Sequence, residues 1–302
     1  MTMQHGLVMG IWAGLIALHA LAAPAVHAAT AVDAAEAAKA IDYPLLEKIA
    51  APAGTAQSDA DLAILKGLKR DGFAAARFQP KQGAAMPYRL LQPLSPQVGV
   101  RYPLVVVLHG SGAVGDDNAS QLNWLGLSWS IPEVQRHFPA YVLIPQFPER
   151  SANYADGTDG LPASQAGAPL EIALQLLDDV AAHHPVDTKR IYLTGFSMGA
   201  STAWNAIQLR PGKFAAAVPF SGIPPDRSSA AQFRDIPLLI VHGNADTENP
   251  IQPDRAMLAA LQKLGPKNLH FREYEGMEHR IPADMLLDMR WREWLFAQKN
   301  TN

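Results

Sequence analysis

Two hydrophobic patterns alternate along most of the chain. Short, largely apolar runs recur at 103–108, 140–144, 190–194, 215–220 and 237–241, with a more mixed run of strand length at 269–274. Such runs, apolar on both faces, mark strands buried within a parallel sheet. Between them, 169–184, 198–210, 253–264 and 282–298 place apolar residues at helical spacing. In the last of these Pro282 suits a first helical position, and Met285, Leu286, Met289 and Leu295 form an apolar stripe. Segments 74–78 and 87–92 read as a leading hairpin. Strand–helix alternation predicts an α/β chain with a mostly parallel central sheet and helices on both faces.

The first seventy residues stand outside this alternation. Leu7 to Ala23 is almost uninterrupted apolar sequence, and Val26-His27-Ala28 supplies small residues of the signal-peptidase type. Residues 1–28 are therefore expected to be a cleavable secretory signal, and the location secreted or periplasmic. An uncleaved anchor is the alternative, with an apolar run slightly short for a membrane span and interrupted by His19. From Ala31 to Arg70 the chain is Ala-rich, and Leu45, Leu46, Ile49, Leu62, Leu65 and Leu68 fall at helical spacing. Residues 29–72 are expected to form a helical extension, ahead of a single catalytic domain over 73–302.

Composition narrows the chemistry. The net charge of -3, without a basic run, gives no footprint for nucleic acid. The absence of cysteine removes disulfides, thiolate–zinc sites, iron–sulfur clusters and a cysteine nucleophile. No metal or organic cofactor is expected. After signal removal no stable membrane insertion is expected, and the oligomeric state is left open.

Directly after the run at 190–194 comes Gly195-Phe196-Ser197-Met198-Gly199, followed by a helical pattern. This is G-x-S-x-G in the strand–turn–helix context that exposes a nucleophilic serine. The sharp turn crowds the flanking positions, which glycine relieves. A serine hydroxyl needs a base, and the base needs a group to orient it. Asp246 ends the loop His242-Gly243-Asn244-Ala245-Asp246, just beyond a buried strand, where such sheets present catalytic residues. Glu248 and Asp254 are rivals placed farther from the strand end. His279 closes the loop Glu275-Gly276-Met277-Glu278-His279 after the last strand and is the candidate base. His109 and His242 precede glycine at strand ends, positions suited to holding backbone. The loop His109-Gly110-Ser111-Gly112 follows another buried strand, so the backbone N–H groups of Ser111 and Met198 are candidates for an oxyanion hole.

From Pro87 to its end the chain resembles the bacterial α/β-hydrolases grouped as predicted peptidases, phospholipase/carboxylesterases and dienelactone-hydrolase-like or polyester-depolymerase-like esterases. The likeness rests on 102–112, Gly115-Asp116-Asp117-Asn118, Pro145-Gln146-Phe147-Pro148, 190–199 and 242–246. It implies the α/β-hydrolase fold and a triad of Ser197, Asp246 and His279. Two departures fall near the expected cleft: Phe147 stands where the family has cysteine, and Arg280-Ile281-Pro282 replaces an aromatic-containing segment.

The residues thus predict a secreted serine hydrolase acting on a small-molecule or polymeric carboxylic ester. Gly222 to Arg234 is too short to hold a lid domain. Trp124, Trp129, Phe147 and Tyr154 are placed to flank the cleft. A peptidase or amidase using the same three residues is the alternative. A non-catalytic binding protein on this scaffold is the more distant one.

Overall fold

The computed structural model describes residues 43–50 and 56–301. The expected signal segment lies outside them. Eleven strands occur among the described residues: β1 (Leu46–Ala50), β2 (Phe73–Phe78), β3 (Met86–Leu91), β4 (Tyr102–Leu108), β5 (Tyr141–Pro145), β6 (Ala152–Asp156), β7 (Pro162–Ala166), β8 (Val186–Phe196), β9 (Ala216–Phe220), β10 (Leu238–Gly243) and β11 (Leu269–Glu275). The helices are α1 (Ala56–Lys66), α2 (Trp124–Leu127), α3 (Pro132–His137), α4 (Pro169–His183), α5 (Met198–Leu209), α6 (Gln252–Gln262), α7 (Ala283–Leu287) and α8 (Arg290–Ala297).

Nine strands form one sheet in the order β1-β11-β10-β9-β8-β4-β5-β3-β2. Pairing is parallel from β1 to β5, while the β2–β3 hairpin joins β5 in antiparallel sense. Strand β4 shows why the central runs are apolar throughout. Leu104, Val106 and Leu108 enter one core layer with Leu174 and Leu177 of α4, Trp204 of α5 and Leu261 of α6. Val105 and Val107 enter the opposite layer with Trp129, Trp291, Trp294 and Leu295. This is the predicted α/β-hydrolase architecture with helices on both faces.

The chain leaves β4 toward β5 on one side and returns as β8 on the other. That reversal opens a crevice at the carboxyl ends of the strands. The register Leu108↔Gly195 sets the loops after β4 and β8 side by side. Registers Phe196↔Phe220, Val241↔Phe220 and Gly243↔Tyr274 bring the loops after β9, β10 and β11 to the same rim.

Two expectations need correction, and one element went unforeseen. Residues 46–50 are not helical and belong to the catalytic sheet, since β1 pairs in parallel with β11, Leu46 opposite Phe271. Leu45, Leu46 and Ile49 have helical spacing, but the unpaired edge of β11 supplies backbone partners that five residues of helix could not replace. Glu47 faces inward to the buried guanidinium of Arg272, with Nε donating to Oε2 at 2.8 Å. The helix foreseen over 282–298 is divided at Asp288, whose backbone is extended. There Arg292, wholly buried between Trp129 and Trp291, donates to the carbonyls of Leu286 and Asp288. The sequence reading also passed over the β6–β7 hairpin, turned by Gly157-Thr158-Asp159-Gly160. It is tied down by Asp226, which accepts from the Thr158 N–H, and by an Arg227–Asp159 ion pair.

Candidate active site

Ser197 sits between the last residue of β8 and the first of α5, at φ 57° and ψ −122°. A side chain at positive φ stores about 1–3 kcal/mol of strain, retained only where the surroundings dictate it. Here the Ser197 N–H donates to Phe220 O at 2.9 Å, anchoring the turn to β9. Gly199 explains the glycine requirement: a Cβ there would lie 2.1 Å from Leu108 O, inside the β4 strand end. The turn is thus wedged directly against the loop that follows β4.

Asp246 and His279 reach this point from two loops stitched to each other. The Asn244 N–H donates to Tyr274 O, the Ala245 N–H to Met277 O, and the Gly276 N–H to Asn244 Oδ1. Gly276, at φ 71°, makes the bend foreseen for it. His279 Nδ1–H donates to Asp246 Oδ2 at 2.7 Å, and its Nε2 accepts from Ser197 Oγ at 2.9 Å. The imidazole lies against the Phe196 ring at 4.8 Å between centroids, which fixes its plane. Asp246 Oδ1 accepts the N–H groups of Glu248 and Asn249, each at 2.9 Å. Burial pushes the Asp246 carboxyl up, but hydrogen bonds from His242, His279 and the Asn249 N–H outweigh it and hold it well below the usual carboxylate range. The carboxylate is therefore ionised and oriented at neutral pH.

The rivals fall elsewhere. Glu248 is exposed, with Oε2 3.8 Å from His279 Nε2. Asp254 is turned away from His279 toward His242.

Ser111 begins a short 3₁₀ turn (Ser111–Ala113) and Met198 begins α5, so neither N–H has an acceptor within its own helix. Position 110 adjoins Ser197, a Cβ there lying 3.5 Å from Ser197 Cβ. The loop is shaped from behind by His109. Its Nδ1–H donates to Gly110 O at 2.8 Å, and Nε2 accepts the Phe147 N–H at 2.9 Å. Burial lowers the His109 pKa to about 4, so the ring is neutral and its tautomer is fixed by these partners. Gln146 completes the scaffold: its amide donates to Ala113 O and Asp117 Oδ1, and its carbonyl accepts the Asn118 N–H. The motifs 115–118 and 145–148 are therefore one hydrogen-bonded unit.

A cavity of about 680 Å³ opens beside His279, walled by Phe196, Trp124, Leu127, Met277, Ile281 and Leu286, among others. Of the four aromatic residues expected to flank the cleft, only Trp124 lines it. Trp129 and Phe147 are core residues, and Tyr154 lies on the hairpin with its hydroxyl 3.2 Å from Ser201 Oγ. Phe147 packs on His109 at 5.1 Å, so this departure from the family pattern does not touch the cavity. The other one does, since Arg280, Ile281 and Pro282 all line it. Phe196 was overlooked in the sequence because its motif position is unspecified. Its signal was its place beside the serine.

The phospholipase/carboxylesterase family profile matches residues 171–291, which include Ser197, Asp246 and His279. A bifunctional acetylxylan esterase/xylanase of Neocallimastix patriciarum is 28% identical over 171 residues, 56% of this chain and 22% of that protein. Acyl-protein thioesterase 1 of Debaryomyces hansenii is 28% identical over 123 residues, 39% of this chain and 53% of that one. The chain thus spans about half, or less, of these curated relatives. The crystal structure of a thermostable esterase superposes with a TM-score of 0.69 at 32% identity, covering 76% of this chain and 64% of that one. Sheet order, strand-end loops and these similarities agree on the α/β-hydrolase fold, and the chain is similar to phospholipase/carboxylesterase and esterase proteins of that fold.

Proposed function

We propose that the protein is a serine hydrolase that cleaves carboxylic esters by acyl transfer. Ser197 Oγ attacks the carbonyl carbon while His279 Nε2 takes its proton. Asp246 remains ionised, holds the Nδ1–H tautomer and stabilises the imidazolium. The N–H groups of Ser111 and Met198 receive the charge that develops on the carbonyl oxygen. His279 returns the proton to the departing alcohol oxygen as the C–O bond breaks, leaving an acyl-serine. Water, deprotonated by the same imidazole, then attacks that ester, and the acid leaves as Ser197 regains its proton.

The observation that carries this reading is the unbroken path Ser197 Oγ–His279–Asp246, 2.9 and 2.7 Å, starting at a backbone-strained serine. The cavity wall includes His279 and Phe196 but neither Ser111 nor Met198, so it suits the alcohol side of the ester. Relatives named as an esterase and a thioesterase favour an ester over an amide substrate. A fluorophosphonate probe is expected to label the wild type and not Ser197→Ala, with kcat on a 4-nitrophenyl ester falling at least about 10³-fold. A Ser197→Ala protein that still labels or turns over sinks the reading.

A further inference from the structure

Behind the proposed triad lies a second His–Asp pair that the reaction above does not use. His242, near the end of β10, is wholly buried. Its Nδ1 lies 2.7 Å from Oδ2 of Asp254, in the first turn of α6. Its Nε2 lies 2.9 Å from Asn249 O and 3.3 Å from Asp246 Oδ2. That last oxygen is the one that accepts His279 Nδ1–H, so it stands between two imidazoles.

All of His242's partners are acceptors. A neutral imidazole has a single N–H and cannot donate on both sides. The ring must hold both protons, or Asp254 must hold one, and the second carboxylate at Asp246 favours the charged ring. Burial disfavours that charge, but hydrogen bonds to Asp246 and Asp254 outweigh it and raise the His242 pKa to about 9. Burial raises the Asp254 carboxyl while His242 opposes the shift, so the two share one proton across the 2.7 Å contact, which the charge of Asp246 draws toward the ring. Asp254 Oδ1 is buried without a hydrogen-bond partner, which leaves His242 as this carboxylate's one strong contact among the described residues. The flanking charges are already engaged: Glu273, opposite His242 on β11, pairs with Arg255 of α6 at 2.7 Å and with Lys48 of β1 at 3.8 Å. Among the described residues, Asp246 and Asp254 are the charged groups paired with the ring.

We propose that His242 and Asp254 are positioning residues for the triad. Asp254 keeps His242 an imidazolium, whose Nε2–H goes to Asn249 O and whose charge lies 3.3 Å behind Asp246. The carboxylate is thereby locked in the orientation His279 needs. The imidazolium lies on the far side of Asp246 from His279, so its loss would alter the charge that His279 faces. The same device explains why Asn249 N–H and Asn249 O address Asp246 and His242 at once.

This proposal rests on the Ser197 reading, and the two fail separately. Fluorophosphonate labelling is measured first; a wild type that resists the probe overturns both. In a labelled enzyme, wild type and Asp254→Asn are compared on 4-nitrophenyl acetate from pH 5 to 9, together with thermal melting. We expect kcat lower by about 10-fold, KM within about two-fold, and the acid limb of kcat/KM displaced upward by about half a pH unit. A variant that melts lower but keeps the wild-type kcat and acid limb makes the pair mere packing and overturns the proposal. Should Asp254→Asn not fold, nitrogen NMR of the histidine-labelled wild type decides. One ring still doubly protonated at pH 8 supports the proposal, and all rings neutral at that pH overturns it.

Discussion

At His109 one imidazole joins three segments: its own strand end, Gly110 of the following loop, and Phe147 at the end of β5. The arrangement demands a neutral ring, because a protonated Nε2 would confront the Phe147 N–H. The folded-state pKa of about 4 lies below the ordinary histidine value near 6.5, so between these limits the unfolded chain binds more protons. His109's contribution is complete above pH 6.5 and is lost as pH falls toward 4. His242 has the opposite sign. Its raised pKa of about 9 gives a contribution present below pH 6.5 and lost as pH rises through 9. The melting temperature of the intact protein is therefore expected to peak near pH 6.5 and decline on both sides. A melting temperature that climbs steadily from pH 5 to 9 contradicts this assignment.

Strand β1 is the element whose role the sequence concealed. Five residues cannot separate a helical from an extended pattern by periodicity, and the deciding partner, Arg272, lies 225 positions away. Its guanidinium is buried, stacked over Tyr43 at 5.0 Å and bonded to Glu47. Glu47→Ala strands that charge, so chemical denaturation should report a loss of about 2 kcal/mol, less than a fully buried pair because Glu47 is partly exposed. The same substitution should leave labelling at Ser197 unchanged in the folded protein. A neutral effect on stability would show that the stack on Tyr43 holds Arg272 unaided. By contrast, β4, β5, β9 and most of β10 were legible because they are apolar on both faces. That is a local property, set by residues within the strand itself.

Across the molecule, the convergence of Ser197, His279 and Asp246 was readable for one shared reason. Each lies where a buried run meets a loop, and the parallel sheet gathers all such points on one rim. The cavity was not readable in the same way. Its wall draws on residues from Arg70 to Leu286, and only the fold shows that Trp124 belongs to it while Trp129 does not. Trp124→Ala is expected to raise KM several-fold for esters of bulky aromatic alcohols while leaving methyl or ethyl esters within about two-fold, since a buried aromatic contact is worth about 1 kcal/mol or more. Equal effects on both classes would remove the cavity from substrate binding. Strand β1 has a consequence for biosynthesis as well. Its one sheet neighbour among the described residues, β11, emerges from the ribosome more than two hundred residues later, so the growing polypeptide carries this segment without that partner through nearly the whole of translation. Closing that margin of the sheet is necessarily among the last events of folding.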